Sequence, residues 1–254
     1  MIVLEDVTFS YGERKIFTDL SLKFSRGKIT FIMGINGSGK TTLLRLITGS
    51  LKPQNGRIFL DGHNMNSLDI RSRAKIISYV PQSMNLHADF SVRDYISLGR
   101  NPYLSWNGRL RDNDIRIVER SAESMGIIDI MSKNFGELSG GQKQAVSIAR
   151  ALAQDTPVIV MDEPMSSLDV SRQADILVLL ETLKSRGKTI ILTTHNPNHA
   201  MNIACDVCLI DNGNILCIGD SLDVLTEGNI SQVYGLNARI VDFYGQRQLV
   251  FIMR

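Results

Sequence analysis

Residues 29–42 constrain the fold more than any other stretch of the chain. An apolar, strand-like run, Ile29–Met33, leads into Gly34-Ile35-Asn36-Gly37-Ser38-Gly39-Lys40-Thr41, and a helical pattern follows. The octapeptide matches G-x-x-x-x-G-K-[ST], and a strand before it and a helix after it are the context in which that pattern binds phosphate. Glycine lets the backbone curl until successive N–H groups face one anion, and the helix beginning near Lys40 adds the positive end of its dipole. The loop is built for a polyphosphate, and the strand-loop-helix unit around it implies an α/β fold.

Composition narrows the class further. With 254 residues, 43% of them hydrophobic, the chain can bury a sizeable core and has room for one α/β domain carrying an inserted subdomain. Its formal net charge is +2 with both signs interspersed, so no basic stripe points to nucleic acid and no lysine cluster to anionic lipid. The longest apolar runs, such as Val158–Met161, are strand-sized and far short of the ~20 residues of a membrane span. The N-terminus opens on Ile2-Val3-Leu4 with no charged region ahead of an apolar segment, which argues against secretion and for a cytosolic location.

Three cysteines, Cys205, Cys208 and Cys217, cannot form an even disulfide framework. Cys205 and Cys208 have C-x-x-C spacing, and His199 could supply the fourth ligand that zinc needs. Cys208 and Cys217 nevertheless lie in apolar, strand-like runs where cysteine behaves as a small hydrophobe.

Strands are expected at residues 2–9, 15–24, 28–33, 57–60, 76–80, Val158–Met161, Thr189–Thr193 and 207–210, from β-branched and aromatic runs broken by glycine turns. Ile176, Leu179, Leu180 and Leu183 recur at helical spacing after Asp169, so helix and strand alternate around a largely parallel sheet. Between Gln82 and about Gly136 the texture becomes helix and loop. Ser91 and Asp94 resemble a capping box, and Ile115, Val118, Ala122 and Met125 form an apolar stripe. This is read as an inserted helical subdomain. A second stripe, Ala145, Ile148, Ala149 and Leu152, follows Leu138-Ser139-Gly140-Gly141-Gln142, which puts that turn at another anion-facing helix N-terminus. The tail from residue 219 onward is too short for a further domain of ordinary size and reads as structural.

Val158-Ile159-Val160-Met161-Asp162-Glu163 is an apolar strand ending in two carboxylates. Consecutive strand residues point to opposite faces, so Asp162 and Glu163 can take different roles once the chain turns at Pro164. One suits a Mg²⁺ shell and the other an attacking water.

Taken with Gln82 after one strand, Ser167-Leu168-Asp169, and His195 after another strand, these motifs resemble an ATP-binding-cassette (ABC) ATPase subunit, in that family's order and over nearly the whole chain. The resemblance implies a P-loop NTPase domain over residues 1–254, with an antiparallel β part, a mostly parallel core sheet and a helical insert over 83–137. It also implies head-to-tail homodimers in which the loop Gly34, Asn36, Gly37, Ser38, Gly39, Lys40, Thr41 and Thr42 of one chain and the signature Ser139, Gly140, Gly141 and Gln142 of the other enclose ATP, with Asp169 beside it. In this reading Lys40 contacts the β- and γ-phosphates, Thr41 and Gln82 ligate Mg²⁺, and Asp162 holds it through its water shell. Glu163 is the general base and His195 contacts the γ-phosphate. Tyr11 sits where the family stacks an aromatic on adenine, although a tyrosine at a turn also packs locally. His63, His87 and His199 lack such a constellation and read as surface or satisfied histidines.

Met165, Ile35 and Asn196 depart from the residues frequent in the family, and none removes a group assigned above. Asn196-Pro197 still makes a good helix start. A free-standing cassette of this size resembles the cytosolic subunit of a bacterial or archaeal importer, peripheral on the cytoplasmic face of the membrane. Its partners would be integral-membrane permease subunits and, indirectly, an extracytoplasmic substrate-binding protein, with no nucleic acid. Ser91-Val92-Arg93-Asp94, Gly99-Arg100-Asn101-Pro102-Tyr103, the stretch 194–200 and Val233-Tyr234-Gly235 resemble importers of iron-siderophore, haem and cobalamin. Molybdate and tungstate importers share much of this texture, and a soluble ATPase acting on DNA or ribosomes is the alternative of another class. Arg100, Tyr103 and Trp106 are candidate contacts for a cytosolic helix of the permease, although an aromatic in a loop packs locally at least as often.

Overall fold

The computed structural model describes residues 1–83, 90–105 and 108–252. In chain order its strands are β1 (Ile2–Tyr11), β2 (Arg14–Phe24), β3 (Ile29–Met33), β4 (Asn55–Leu60), β5 (His63–Asn64), β6 (Ile77–Val80), β7 (Val158–Met161), β8 (Thr189–Thr193), β9 (Asp206–Asp211), β10 (Asn214–Asp220), β11 (Asn237–Phe243) and β12 (Gln246–Ile252). Its α-helices are α1 (Lys40–Ile47), α2 (Ile70–Ala74), α3 (Val92–Ser97), α4 (Asp112–Ser124), α5 (Gly140–Ala153), α6 (Val170–Ser185), α7 (Asn198–Met201), α8 (Ser221–Val224) and α9 (Glu227–Tyr234). All the expected strands are present, with ends shifted by at most two residues.

The chain forms two compact units, 1–67 with 180–254, and 68–179. In the first, β2-β1-β4-β5 make an antiparallel sheet. A second set runs β10-β9-β3-β8, with β3 parallel to both β8 and β9 and β10 antiparallel to β9. Every residue of β3 and β8 is buried, which is why these strands read as continuous apolar runs rather than alternating ones. Each large aliphatic side chain so buried contributes roughly 1.5–3 kcal/mol. The tail is more structured than its sequence suggested. It supplies α8, α9 and the hairpin β11–β12, whose Ala238 and Leu249 are buried.

In the second unit β6 pairs parallel with β7, and α2 to α5 and most of α6 surround the pair in sequence. Ser91 caps α3, its hydroxyl accepting the Asp94 N–H at 3.1 Å and donating to the Asp94 carboxylate at 2.6 Å. In α4 the stripe holds at Val118, Ala122 and Met125, whereas Ile115 is 37% exposed. The stripe expected in α5 is corrected: Ala145 and Leu152 are half-buried, and Val146, Ser147, Ala151 and Ala153 join Ile148 and Ala149 inside. A helix with small residues on several sides can be covered on all of them.

Candidate active site

In the first unit the loop after β3 has the geometry its glycines predict. A Cβ on Gly34, at φ +156°, would stand 2.2 Å from the Ile210 carbonyl oxygen, and one on Gly39, at φ +107°, 2.8 Å from the Phe17 ring. Neither position tolerates a side chain. Gly39 caps α1 without a side-chain bond, and no acidic residue lies in the first turn, so the leading N–H groups of α1 keep no side-chain acceptor at the cap. Lys40 is buried and folds back to donate to the carbonyls of Gly34 at 2.8 Å and Ile35 at 2.9 Å. The Ser38 hydroxyl is buried with no partner among the described residues, an orphaned donor that a phosphate oxygen would satisfy. The residues present therefore fit a bound polyphosphate.

Tyr11 closes β1 opposite Arg14 across the turn Gly12-Glu13. Its ring meets Phe9 edge-on at 4.9 Å and stays 44% exposed, so local packing and a surface open to a base coexist. Sequence reasoning passed over Arg14, whose Nη2 lies 3.5 Å from where a Cβ on Gly37 would stand. A cross-strand partner of Tyr11 was the available signal. His195 is exposed just beyond β8.

In the second unit Asp162 is 2% exposed at the end of β7, its N–H bonded to the Val80 carbonyl at 2.8 Å. Tyr79 of β6, not anticipated from sequence, donates its hydroxyl to Asp162 Oδ2 at 3.5 Å. Glu163 has φ +46°, a left-handed conformation that costs a non-glycine residue of order 1–3 kcal/mol. Its carbonyl accepts the N–H and hydroxyl of Ser166 at 3.2 and 3.0 Å. Its carboxylate accepts the Gln82 amide Nε2 at 3.1 Å, so two residues singled out separately in sequence meet here. Met165 is buried, and its carbonyl accepts the Gln173 side chain at 3.2 Å. Asp169 caps α6 through the Arg172 N–H at 2.9 Å.

The signature lies at the N-terminus of α5. Ser139 accepts the Gln142 N–H at 3.3 Å and Gln142 Oε1 accepts the Ser139 N–H at 3.0 Å, a reciprocal capping box. The S-x-x-Q spacing carried that signal. Both side chains are thus engaged in their own helix, and Gly140 has open space around it.

Arg100 is a correction to the sequence reading. It is 5% exposed, donating to Asp114 at 2.9 Å and to the Ala153 carbonyl at 2.9 Å, with its guanidinium 4.2 Å above the Tyr103 ring. Its guanidinium is committed inside the unit, to Asp114 and to the end of α5, rather than exposed at the surface. Trp106 and His87 lie outside the described residues. Cys205 and Cys208 are buried, and burial pushes both thiols up to about 12, which disfavours the thiolate that zinc requires. No described helix is long and apolar enough to cross a membrane.

Known proteins resemble this chain in sequence and in fold. The ABC transporter family profile matches residues 17–166, and a profile described as an AAA domain matches 132–201. The iron(3+)-hydroxamate import ATP-binding protein FhuC of Bacillus subtilis (strain 168) is 35% identical over 238 residues, covering 93% of this chain and 88% of that protein. The ferric enterobactin transport ATP-binding protein FepC of Escherichia coli (strain K12) is 32% identical over 239 residues, 94% and 88% of the two chains. Among solved structures, an ABC transporter of metal-chelate type in an inward-facing conformation superimposes with TM-score 0.84 at 27% identity, covering 99% of this chain and 97% of that one. A dimeric ATP-binding cassette in a post-hydrolysis state, bound to ADP and Pi, gives 0.77 at 28% identity over 87% and 99%. With its phosphate loop, paired carboxylates and signature helix in place, and relatives of this likeness along nearly its whole length, the chain belongs to the ABC transporter family and is an ATP-binding-cassette ATPase.

Proposed function

We propose that the chain is the ATP-hydrolysing subunit of an importer of metal chelates, of the iron-siderophore, haem or cobalamin kind. It acts as a homodimer on integral-membrane permease subunits at the cytoplasmic face of the membrane, and an extracytoplasmic substrate-binding protein delivers the cargo. The whole of 1–254 serves as one cassette, with 83–137 as its helical insert. The observation that carries the hydrolytic part is the loop 34–40, where an orphaned hydroxyl, an uncapped helix and a folded-back lysine wait on one anion. The importer part is supported by the iron-chelate import proteins among the relatives.

In this reading Lys40 leaves the carbonyls of Gly34 and Ile35 for β- and γ-phosphate oxygens, and the loop N–H groups with Ser38 and Thr42 hold the rest of the chain of phosphates. Tyr11 stacks on adenine. Glu163 takes a proton from the water that attacks the γ-phosphorus, the bond from that phosphorus to the β-γ bridging oxygen breaks, and ADP leaves with the electron pair. His195 hydrogen-bonds the γ-phosphate, and the N-terminus of α5, from Ser139 to Gln142, serves the nucleotide of the neighbouring protomer. Gln82 donates its Nε2 to Glu163, which leaves the amide oxygen as the hard donor that Mg²⁺ prefers; the Thr41 hydroxyl and Asp162 are the other groups this reading assigns to the ion. Bound Mg²⁺ would neutralise phosphate charge.

Purification of the tagged chain from detergent-solubilised membranes of its host tests this. A polytopic permease recovered in near-equal amount is expected. Ribosomal or DNA-repair proteins in its place would overturn the importer while leaving the ATPase.

A further inference from the structure

His199, read from sequence as a surface or satisfied histidine, sits at the hub of the loop that carries His195. It is 8% exposed. Its Nδ1 lies 3.0 Å from the Thr194 hydroxyl and its Nε2 3.3 Å from the Asn196 side-chain nitrogen. The Asn196 side-chain oxygen accepts the Asn198 N–H at 3.0 Å, which fixes the amide so that its NH₂ faces the ring. Nε2 is then the acceptor, and Nδ1 carries the proton and donates to Thr194 Oγ1, which also accepts the Asn196 N–H at 3.1 Å. Both residues flanking His195 are therefore tied to one buried ring, on one side through the Thr194 hydroxyl and on the other through the Asn196 amide. The far end is anchored too. The Asn198 side chain donates to the Leu249 carbonyl at 3.1 Å and accepts the Leu249 N–H at 2.8 Å, fastening the loop to β12.

We propose that His199 is a positioning residue for hydrolysis: its neutral imidazole, braced by Asn198 on the C-terminal hairpin, holds the main chain at His195 so that this exposed side chain meets the γ-phosphate. The inference rests on the reading of His195 as the γ-phosphate contact. A misplacement of order 1 Å in a group acting on the reacting atoms can cost up to ~10²-fold in rate, so the main chain on both sides of His195 has to be held. Loss of the hub should therefore slow turnover by about tenfold while leaving nucleotide affinity, which rests on the loop 34–40, unchanged.

The test is a double-mutant cycle on the full chain, with kcat and KM for ATP from steady-state hydrolysis and nucleotide Kd from calorimetry. His199→Ala should lower kcat about tenfold at constant Kd, and His199→Asn, which keeps a donor near the Nδ1 position, should recover much of it. In a His195→Ala background, His199→Ala should cost nothing further. Additive losses, or an unchanged kcat in His199→Ala, would overturn the proposal. If His199→Ala does not fold, Thr194→Val, which removes the hydroxyl under the ring, takes its place with the same two outcomes. A His195→Ala chain hydrolysing at the wild-type rate would instead remove the underlying reading of His195, and with it this role for His199.

Discussion

Replacing Arg100 by alanine should destabilise the unit formed by residues 68–179 more than any change to an exposed charge. The guanidinium and the Asp114 carboxylate are only 7% and 10% exposed as side chains, so neither charge has much water to fall back on. Removing Arg100 deletes a charge-assisted bond to Asp114, worth about 1.5–3 kcal/mol, and the stacking on Tyr103, about 0.5–2 kcal/mol. It also strands the Ala153 carbonyl at the end of α5. Breaking one partner of a buried pair typically costs about 3–5 kcal/mol. Asp114 still receives the Arg111 N–H at 3.1 Å, so the lower part of that range, about 3–4 kcal/mol, is expected. Urea unfolding at pH 7, followed by a probe in this unit, measures it directly. The double variant Arg100→Met with Asp114→Asn should lose clearly less than Arg100→Ala, because no unpaired charge remains. Burial opposes the charge on Asp114, but the Arg111 N–H and Arg100 still hold its carboxyl below the ordinary range. A cost under about 1 kcal/mol for Arg100→Ala would refute the reasoning, since that is the worth of a solvated surface pair.

Glu163→Gln should cut hydrolysis by about 10²–10⁴-fold while ATP still binds, trapping an ATP-bound dimer visible by size-exclusion chromatography; wild-type turnover would dismiss Glu163 as base. Gly34→Ala should abolish nucleotide binding in calorimetry, because the added Cβ would meet the Ile210 carbonyl at 2.2 Å; retained affinity would mean that the loop can move off β9. His199 is kept below its usual 6.5, first by burial and then by the neighbouring His195 ring. With a depressed folded-state value, its contribution is fully present above pH 6.5 and is lost as pH falls below it, by at most about 1.4 kcal/mol per pH unit. Urea midpoints of wild type and His199→Asn should therefore converge on acidification below pH 6.5, and parallel curves would show that His199 does not titrate in this window.

Much of the site was legible because its signals are local. The glycines of the loop, the two carboxylates after β7 and the S-x-x-Q at α5 each sit within a few residues, where backbone sterics and capping geometry dictate the outcome. A helix does begin after Asn196-Pro197, but Pro197 rather than Asn196 stands at its cap, and the Asn196 side chain accepts the Asn198 N–H within the preceding loop. Arg100 misled because a basic residue beside a tyrosine reads the same whether it faces solvent or an aspartate fourteen residues away. The hairpin β11–β12 escaped notice because its outward residues, Val241, Val250 and Ile252, are apolar and exposed, which blurs the period-two alternation that marks a strand.

By itself, then, the sequence determined the phosphate loop, the buried parallel strands and the order of the chemical groups, since each follows from the conformational limits of neighbouring residues. Tertiary structure alone decided which groups touch. The Gln82–Glu163 bond spans 81 residues, Tyr79 reaches Asp162 across 83, and Asn198 holds Leu249 across 51. Such contacts depend on how strands align and helices pack, and no local propensity encodes the distance between two side chains that only the folded chain brings within 3.5 Å.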